Sequence, residues 1–244
     1  MAGFKPGDPG DVRALFDGIA PGYDRLNDLL SLGLHRLWKR RAIAWLQPRA
    51  GEHFVDLCCG TGDLALVLAE KLRPGGHVLG LDAAEGPLRL ARQRSSQQPW
   101  LPVEWRLGDA LATGLPDASM DGAVIGYGLR NLAEPAAGLA ELRRLLRPGG
   151  RAAVLDFNRP DPEGAGGAIA AGLQQRFQQI YLRALVVPAA GLCGVPEHYA
   201  YLEESLKRFP TGRQQQQLAV AAGFRQARHR LLAGGQMGLL ELVA

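Results

Sequence analysis

The stretch Val55-Asp56-Leu57-Cys58-Cys59-Gly60-Thr61-Gly62-Asp63-Leu64-Ala65 holds the end of a strand, a glycine turn and the start of a helix in one uninterrupted run. His53, Phe54, Val55 and Leu57 make a short apolar strand, and Leu64 to Leu72 has the spacing of a buried helix. Gly60 and Gly62 between them allow backbone geometry that a Cβ resists, so a ligand can approach the main chain closely. The next apolar run, His77 to Asp82, ends in an acid about 20 residues beyond the glycines, where nucleotide-binding α/β units place a carboxylate on ribose hydroxyls. The reading is a cradle for a nucleoside cofactor.

Gly60, Gly62 and Ala65 also satisfy the dinucleotide fingerprint G-x-G-x-x-G/A, so two cofactors fit the pattern. Asp56 in the strand and Asp63 in the turn separate them. A dinucleotide brings a pyrophosphate to this helix N-terminus, where extra carboxylates repel it. S-adenosylmethionine brings a sulfonium and an ammonium, which acids at a strand tip favour. The alternative for Asp56 is a carboxylate accepting hydrogen bonds from turn amides.

A chain of 244 residues with 47% hydrophobic and 21% charged residues suits one α/β domain with an N-terminal extension. Three cysteines, two of them adjacent at Cys58 and Cys59, make neither a disulfide framework nor a spaced metal site, which implies a reducing compartment and no metal. No apolar signal core and no membrane-length apolar run occur, so a soluble or peripheral protein is expected. The net charge of +4 is clustered: Arg36, Lys39, Arg40 and Arg41; then Arg143, Arg144, Arg147 and Arg151; then Arg225, Arg228 and Arg230. Solvated helix faces account for this most simply, followed by an anionic membrane surface and then RNA.

Two short helices, Asp8 to Ala20 and Pro21 to Leu30, are predicted ahead of an amphipathic helix from His35 to Leu46. That helix directs Leu34, Leu37, Trp38, Ala42 and Trp45 to one side and its cations to the other. Residues 1–50 are therefore assigned to a helical extension or lid, and 51–244 to the cofactor-binding domain. From His53 onward strands and helices alternate, as in a parallel, doubly wound sheet. Helices are expected at Glu85 to Gln97, Pro135 to Leu146 and Glu197 to Arg208, and strands at Val103 to Leu107 and Asp121 to Tyr127. A fifth strand follows Pro148-Gly-Gly150. Thr211-Gly-Arg-Gln214 is a capping box for a helix to Ala222, and Phe224 to Leu232 with Met237 to Val243 closes the chain as an antiparallel pair. Ala184 to Pro196 is uncharged but too short to span a bilayer; it suits a core helix or the wall of an apolar tunnel. Seven strands with the last antiparallel, plus N-terminal helices, match a class I S-adenosylmethionine-dependent methyltransferase (Rossmann-like) better than a dehydrogenase.

Two further stretches carry a family resemblance. Phe16-Asp-Gly-Ile-Ala-Pro-Gly-Tyr23-Asp24 with Asn27 through Lys39-Arg40, and Gly126-Tyr-Gly-Leu-Arg130-Asn131 through Leu146-Arg-Pro-Gly-Gly150, resemble the signatures of the ubiquinone/menaquinone C-methyltransferases. Asp156-Phe-Asn-Arg159 and Gly234-Gly-Gln-Met-Gly-Leu-Leu240 are similar to the cyanobacterial and plastid branch, where the general bacterial branch has Glu-Phe-Ser and a His-containing C-terminus. The resemblance implies S-adenosylmethionine as co-substrate and a phytyl-tailed naphthoquinol as partner, with demethylmenaquinol as the alternative. It also implies no nucleic acid, and a cytoplasmic protein with peripheral contact to the thylakoid membrane. Monomer and homodimer both stay open.

By resemblance Thr61 lines the cofactor, Asp82 takes the ribose diol, Asp109 and Ala110 contact the adenine, and Gly126 sits where methionine meets substrate. Asp109 in Gly108-Asp109-Ala110 is equally a turn former. Methylating a ring carbon needs an electron-rich, ionised quinol, and Arg130 at the carboxyl end of the fourth strand is the candidate cation beside that charge. Asn131 is either a substrate contact or the cap of the helix after Pro135. Tyr23 is a candidate to close over the ring.

Overall fold

Apolar runs punctuated by glycine turns become a seven-stranded sheet. β1 (His53–Leu57), β2 (His77–Asp82), β3 (Val103–Leu107), β4 (Met120–Gly126), β5 (Leu146–Phe157), β6 (Gln226–Leu232) and β7 (Met237–Val243) lie in the order 3-2-1-4-5-7-6. The computed structural model describes residues 33–163 and 197–244, together with 10, 12–14, 17, 167, 169, 171–173 and 176. Most of the two expected N-terminal helices, Tyr23 and the apolar run Ala184 to Pro196 lie outside the described residues. β1 to β5 are mutually parallel where they pair, and β7 runs antiparallel to both β5 and β6. The expected strand after Pro148-Gly-Gly150 pairs from Arg151 to Leu155 with β4, while its assigned span begins earlier, at Leu146.

The helices α1 (His35–Leu46) and α5 (Glu197–Arg208) form over the expected spans, and α2 (Asp63–Lys71), α3 (Glu85–Ser96), α4 (Pro135–Leu145) and α6 (Gly212–Ala221) differ from theirs by a residue or two. Strand alternation divides the core. Val55, Leu57, Ala123 and Ile125 pack with α4 through Leu139, Leu142 and Leu145, and with Ala219 and Phe224. Phe54, Val124 and Leu239 pack on the other face with Trp38, Ala42, Ile43 and Leu46 of α1 and with Leu64 and Leu68 of α2. Each such fully buried leucine contributes about 1.5–3 kcal/mol. Helices thus cover both faces. The box Thr211–Gln214 forms as expected: Thr211 N–H donates to Gln214 Oε1 (2.9 Å) and Gln214 N–H to Thr211 Oγ1 (3.4 Å).

Three expectations change. α1 turns its Trp38, Ala42, Ile43 and Leu46 stripe inward, while Leu34 and Leu37 are 48% and 47% exposed instead of lying on the buried side. Asn131 is not a helix cap: it ends a single 3-10 turn (Leu129–Asn131), and the N-cap of α4 is Glu134. The second arginine cluster is tied into the fold. Arg144 bonds Glu141 (2.7 Å), Asp117 (2.5 Å) and the Leu115 carbonyl; Arg147 pairs with Asp121; Arg151 stacks 5.2 Å over Trp45 and donates to its carbonyl. Glu141, bonded by Arg144 and Thr113, is held at about 2 despite its burial.

Candidate active site

The strand order reverses between β1 and β4, and open α/β sheets bind ligands in the crevice at that point, beyond the carboxyl ends of the strands. A cleft lies there. It encloses about 1000 Å³ including its open mouth, lined by Cys58, Gly60, Asp82, Asp109, Ala110, Gly126, Tyr127 and Asn131, with Val12 and Arg13 of the N-terminal segment on its rim. A smaller recess beside it is lined by Lys39, Asp56, Thr61, Asp63, Gly126 and Tyr127. Asp17 Oδ1 accepts from Gly86 N–H at 2.6 Å.

Cys58 and Tyr127 directly follow β1 and β4 with φ of 56° and 61°, in the left-handed region that costs a non-glycine residue about 1–2 kcal/mol. These turns lead the chain away from the strand ends and open the crevice between them. Gly62 needs its hydrogen: φ is 83° and a Cβ would fall 2.3 Å from the Trp105 ring. Gly128 is packed the same way, a Cβ there falling 2.4 Å from Cys58 Cβ. Burial pushes the Cys58 and Cys59 thiols up, so neither is a ready nucleophile.

The carboxylates of the cradle behave differently from one another. Asp82 accepts from Gly60 N–H (2.8 Å) and Ala84 N–H (2.9 Å), which fixes it facing the cleft, and burial raises its pKa against those bonds. Asp109 accepts from Leu111 N–H (2.8 Å), so its turn role is real, and it lines the cleft as well. Asp63 is neutralised by Lys39 (2.7 Å) and Arg94 (2.6 Å). Burial acts upward on it, but those two cations prevail and hold it at about 2. Its expected repulsion of a pyrophosphate is therefore largely cancelled, and that discrimination passes to Asp56.

Asp56 is 1% exposed, neither carboxylate oxygen has a partner within hydrogen-bond geometry, and burial raises its pKa well above the ordinary value against the charge of Lys39. The turn amides do not cap it. An orphaned buried carboxylate in a recess wants a cation with N–H donors, which the methionine end of S-adenosylmethionine has and a pyrophosphate lacks. The residues therefore fit that co-substrate: Asp56 would meet the ammonium, Gly60 and Gly62 would allow close backbone approach, Asp82 would take the ribose, and Asp109 with Ala110 would meet the base. Thr61 is buried, and its hydroxyl accepts from Arg94 (3.2 Å). Among the described residues no group of acids, histidines and cysteines could hold a metal ion.

On the opposite wall, Asn131 lines the cleft, accepts from the Tyr201 hydroxyl (2.7 Å) and donates to the Tyr127 carbonyl (3.2 Å). Arg130 turns away from the cleft. It is buried, ion-paired with Asp156 (2.7 Å), bonded to the Tyr127 carbonyl (2.6 Å) and lies 5.3 Å over the Phe157 ring. Lys39, read from the sequence as part of a solvated basic face, is instead a wall of the recess, 5.9 Å from the Tyr127 ring. Tyr201 sits in the stretch Tyr199-Ala-Tyr201, but nothing in its spacing pointed to Asn131.

The fold is similar to that of a solved methyltransferase. An S-adenosylmethionine-dependent methyltransferase of Aquifex aeolicus superposes with a TM-score of 0.59 at 17% identity, over 97% of this chain and 98% of that one. The 2-phytyl-1,4-naphtoquinone methyltransferase of Synechococcus elongatus is 46% identical over 97% of this chain and 98% of its own length. The chloroplastic 2-phytyl-1,4-beta-naphthoquinone methyltransferase of Arabidopsis thaliana is 39% identical over 93% of this chain and 85% of its own. A family model matches residues 6–240, spanning the cradle, the Arg130 loop and most of the closing hairpin, and on that evidence the chain belongs to the ubiE/COQ5 methyltransferase family.

Proposed function

We propose that this enzyme methylates a ring carbon of a phytyl-tailed naphthoquinol, 2-phytyl-1,4-naphthoquinol, using S-adenosylmethionine. The observation that carries the donor is the orphaned Asp56 carboxylate in the recess beside the cleft. The acceptor rests on the names of relatives similar to nearly the whole chain. Bound S-adenosylmethionine supplies an electrophilic methyl group, and the acceptor must present a nucleophilic carbon. A quinone ring is electron-poor; an ionised quinol is not. Ionising a phenol of pKa near 10 at pH 7 costs about 4 kcal/mol, which the site must offset in the transition state.

Arg130, the candidate cation for that charge, has its charge matched by Asp156. Its role is therefore as a positioning residue: with Asn131 it holds the Tyr127 carbonyl and so the left-handed bend of the cleft wall. Asn131, on the cleft, is the polar contact for the acceptor. The expected result in a labelled-methyl assay is transfer to the demethylated naphthoquinone only with dithionite present. Equal transfer to oxidised and reduced substrate removes the mechanism; preference for a ubiquinol precursor removes the acceptor; preference for demethylmenaquinol moves it to the menaquinone series.

The acceptor partitions into lipid, and no described helix is long and apolar enough to cross a membrane. The outer side of α1 offers exposed Leu34 and Leu37 beside exposed Arg36, Arg40 and Arg41. We assign this side to an anionic membrane surface, at about 1 kcal/mol per arginine near the lipid. Flotation with anionic liposomes at low salt should carry the protein upward, and changing the three arginines to glutamine should lose it. Flotation unaffected by that change, or none at all, excludes α1.

A further inference from the structure

Beyond Tyr127 the same sheet edge carries residues that line neither the cleft nor the recess. The Tyr127 ring lies 6.1 Å from Phe157, and Phe157 pairs in register with Met237 at the start of β7. Because β7 is antiparallel, its first residues lie at the same sheet edge as the carboxyl ends of β4 and β5. The residue just before Met237 is Gln236. It is 6% exposed, and neither its Oε1 nor its Nε2 has a hydrogen-bond partner.

A buried amide with both ends unmatched costs about 1–3 kcal/mol for each group left without a partner, so a fold that retains one has a use for it or holds an unseen partner there. Its surroundings are built to hold it. Ala233, Gly234 and Gly235 have φ of 52°, 63° and 90°, three consecutive left-handed residues of which Ala233 is strained. Buried Asn158, directly beyond β5, clamps this turn from both sides: its N–H donates to the Gln236 carbonyl (2.9 Å) and its Nδ2 to the Gly235 carbonyl (3.0 Å). Two residues before Asn158, Asp156 holds Arg130. The Arg130 and Asp156 charges are thus already paired to each other, and Gln236 is a neutral group that both donates and accepts.

We propose that Gln236 is the hydrogen-bond partner of a ring oxygen of the aromatic acceptor, an inference that rests on the quinol reading above. A carboxamide suits this oxygen in both states: Oε1 accepts from the quinol hydroxyl, and Nε2–H donates to the same oxygen once it is ionised. It cannot satisfy both states of an apolar or cationic acceptor. Asn158 is the positioning residue that acts through it.

The test compares Gln236→Met, which keeps the volume and removes both hydrogen-bonding groups, with wild type. Thermal unfolding of the ligand-free protein, calorimetry with S-adenosylhomocysteine, and turnover of the dithionite-reduced naphthoquinol are measured. The expected result is an unfolding temperature equal to or above wild type, unchanged S-adenosylhomocysteine affinity, and kcat/KM for the quinol lower by about 10- to 100-fold. Wild-type turnover in the variant overturns the proposal, as does a loss of turnover accompanied by a lower unfolding temperature or weaker S-adenosylhomocysteine binding, which would make the residue structural. A wild-type protein that binds S-adenosylhomocysteine but turns over no quinol instead refutes the quinol reading and this inference with it.

Discussion

Asp56→Asn will stabilise the ligand-free protein and cripple its binding of S-adenosylhomocysteine. The side chain is 1% exposed with no hydrogen-bond partner, and burial raises its pKa well above the ordinary value. The sign follows from linkage. An acid whose folded pKa lies above its unfolded pKa keeps its proton in the fold while the unfolded chain loses it. Stability is therefore full below the unfolded value, near 4, and declines as pH rises through the folded one. Asparagine has no proton to lose, so the variant and wild type should melt alike in acid and separate as pH rises, the variant higher by several degrees at pH 8. Binding moves the other way. The ammonium of the ligand loses its charged partner, and removing one member of a buried charge pair costs about 2–5 kcal/mol, or roughly 30-fold or more in affinity. Calorimetry and thermal unfolding across pH read both effects. A variant less stable than wild type at pH 8, or binding as tightly, would show that the orphaned carboxylate is not the ammonium site.

Arg130→Met should destabilise the fold by about 3–5 kcal/mol, because it strands the buried Asp156 carboxylate, which is 2% exposed. Asp156 keeps only its own neighbour Phe157 N–H (2.8 Å) and the Arg130 backbone N–H (3.1 Å). The double variant Arg130→Met, Asp156→Leu removes both charges and should recover most of that loss in guanidinium titrations, since apolar replacement of a buried pair is often neutral. Turnover should stay low in both, because the Tyr127 carbonyl loses its guanidinium tie in each. Full turnover in the double variant would show that the pair serves stability alone, and a double variant no more stable than the single would show that the charge is not what the arginine contributes.

The sequence announced elements and strand-tip acids well, for a physical reason: Pro-Gly-Gly turns and apolar runs are local, and the parallel sheet places the end of each run on one edge. Asp82 could be set at the cleft from its place at a strand end, whereas Asp109 and Gly126 were placed there by resemblance. Partners were another matter. Lys39 meets Asp63, Arg130 meets Asp156 and Tyr201 meets Asn131 across stretches of chain that no periodicity relates. A helical stripe pointed to the face α1 buries, yet the wheel was off by enough to leave Leu34 and Leu37 outside, because Ile43 and Leu46 set the inward direction. Asn131 before Pro135 satisfied the local pattern of a cap, and a 3-10 turn stabilised by Tyr201 and the Tyr127 carbonyl displaced it. Gln236 was legible only as part of a similarity, since a glutamine gives no sign in sequence that its amide will be buried without partners.

The indole of Trp105 links the histories of two glycines. It lies where a Cβ at Gly62 would be, at 2.3 Å, and where one at Gly80 would be, at 2.5 Å, and its Nε1–H is held by Ser95 (2.9 Å). The two positions are not equally bound to it. Gly62 also sits at φ 83°, so it must remain glycine whatever becomes of the indole. Gly80 has no such backbone demand, and its constraint is mainly this ring, with Cys59 Sγ at 3.2 Å as the remaining neighbour. Among descendants of a common ancestor, a smaller residue at 105 should therefore accompany alanine or valine at 80 while 62 stays unchanged. The cofactor turn would keep its shape, and the adjoining strand would drift.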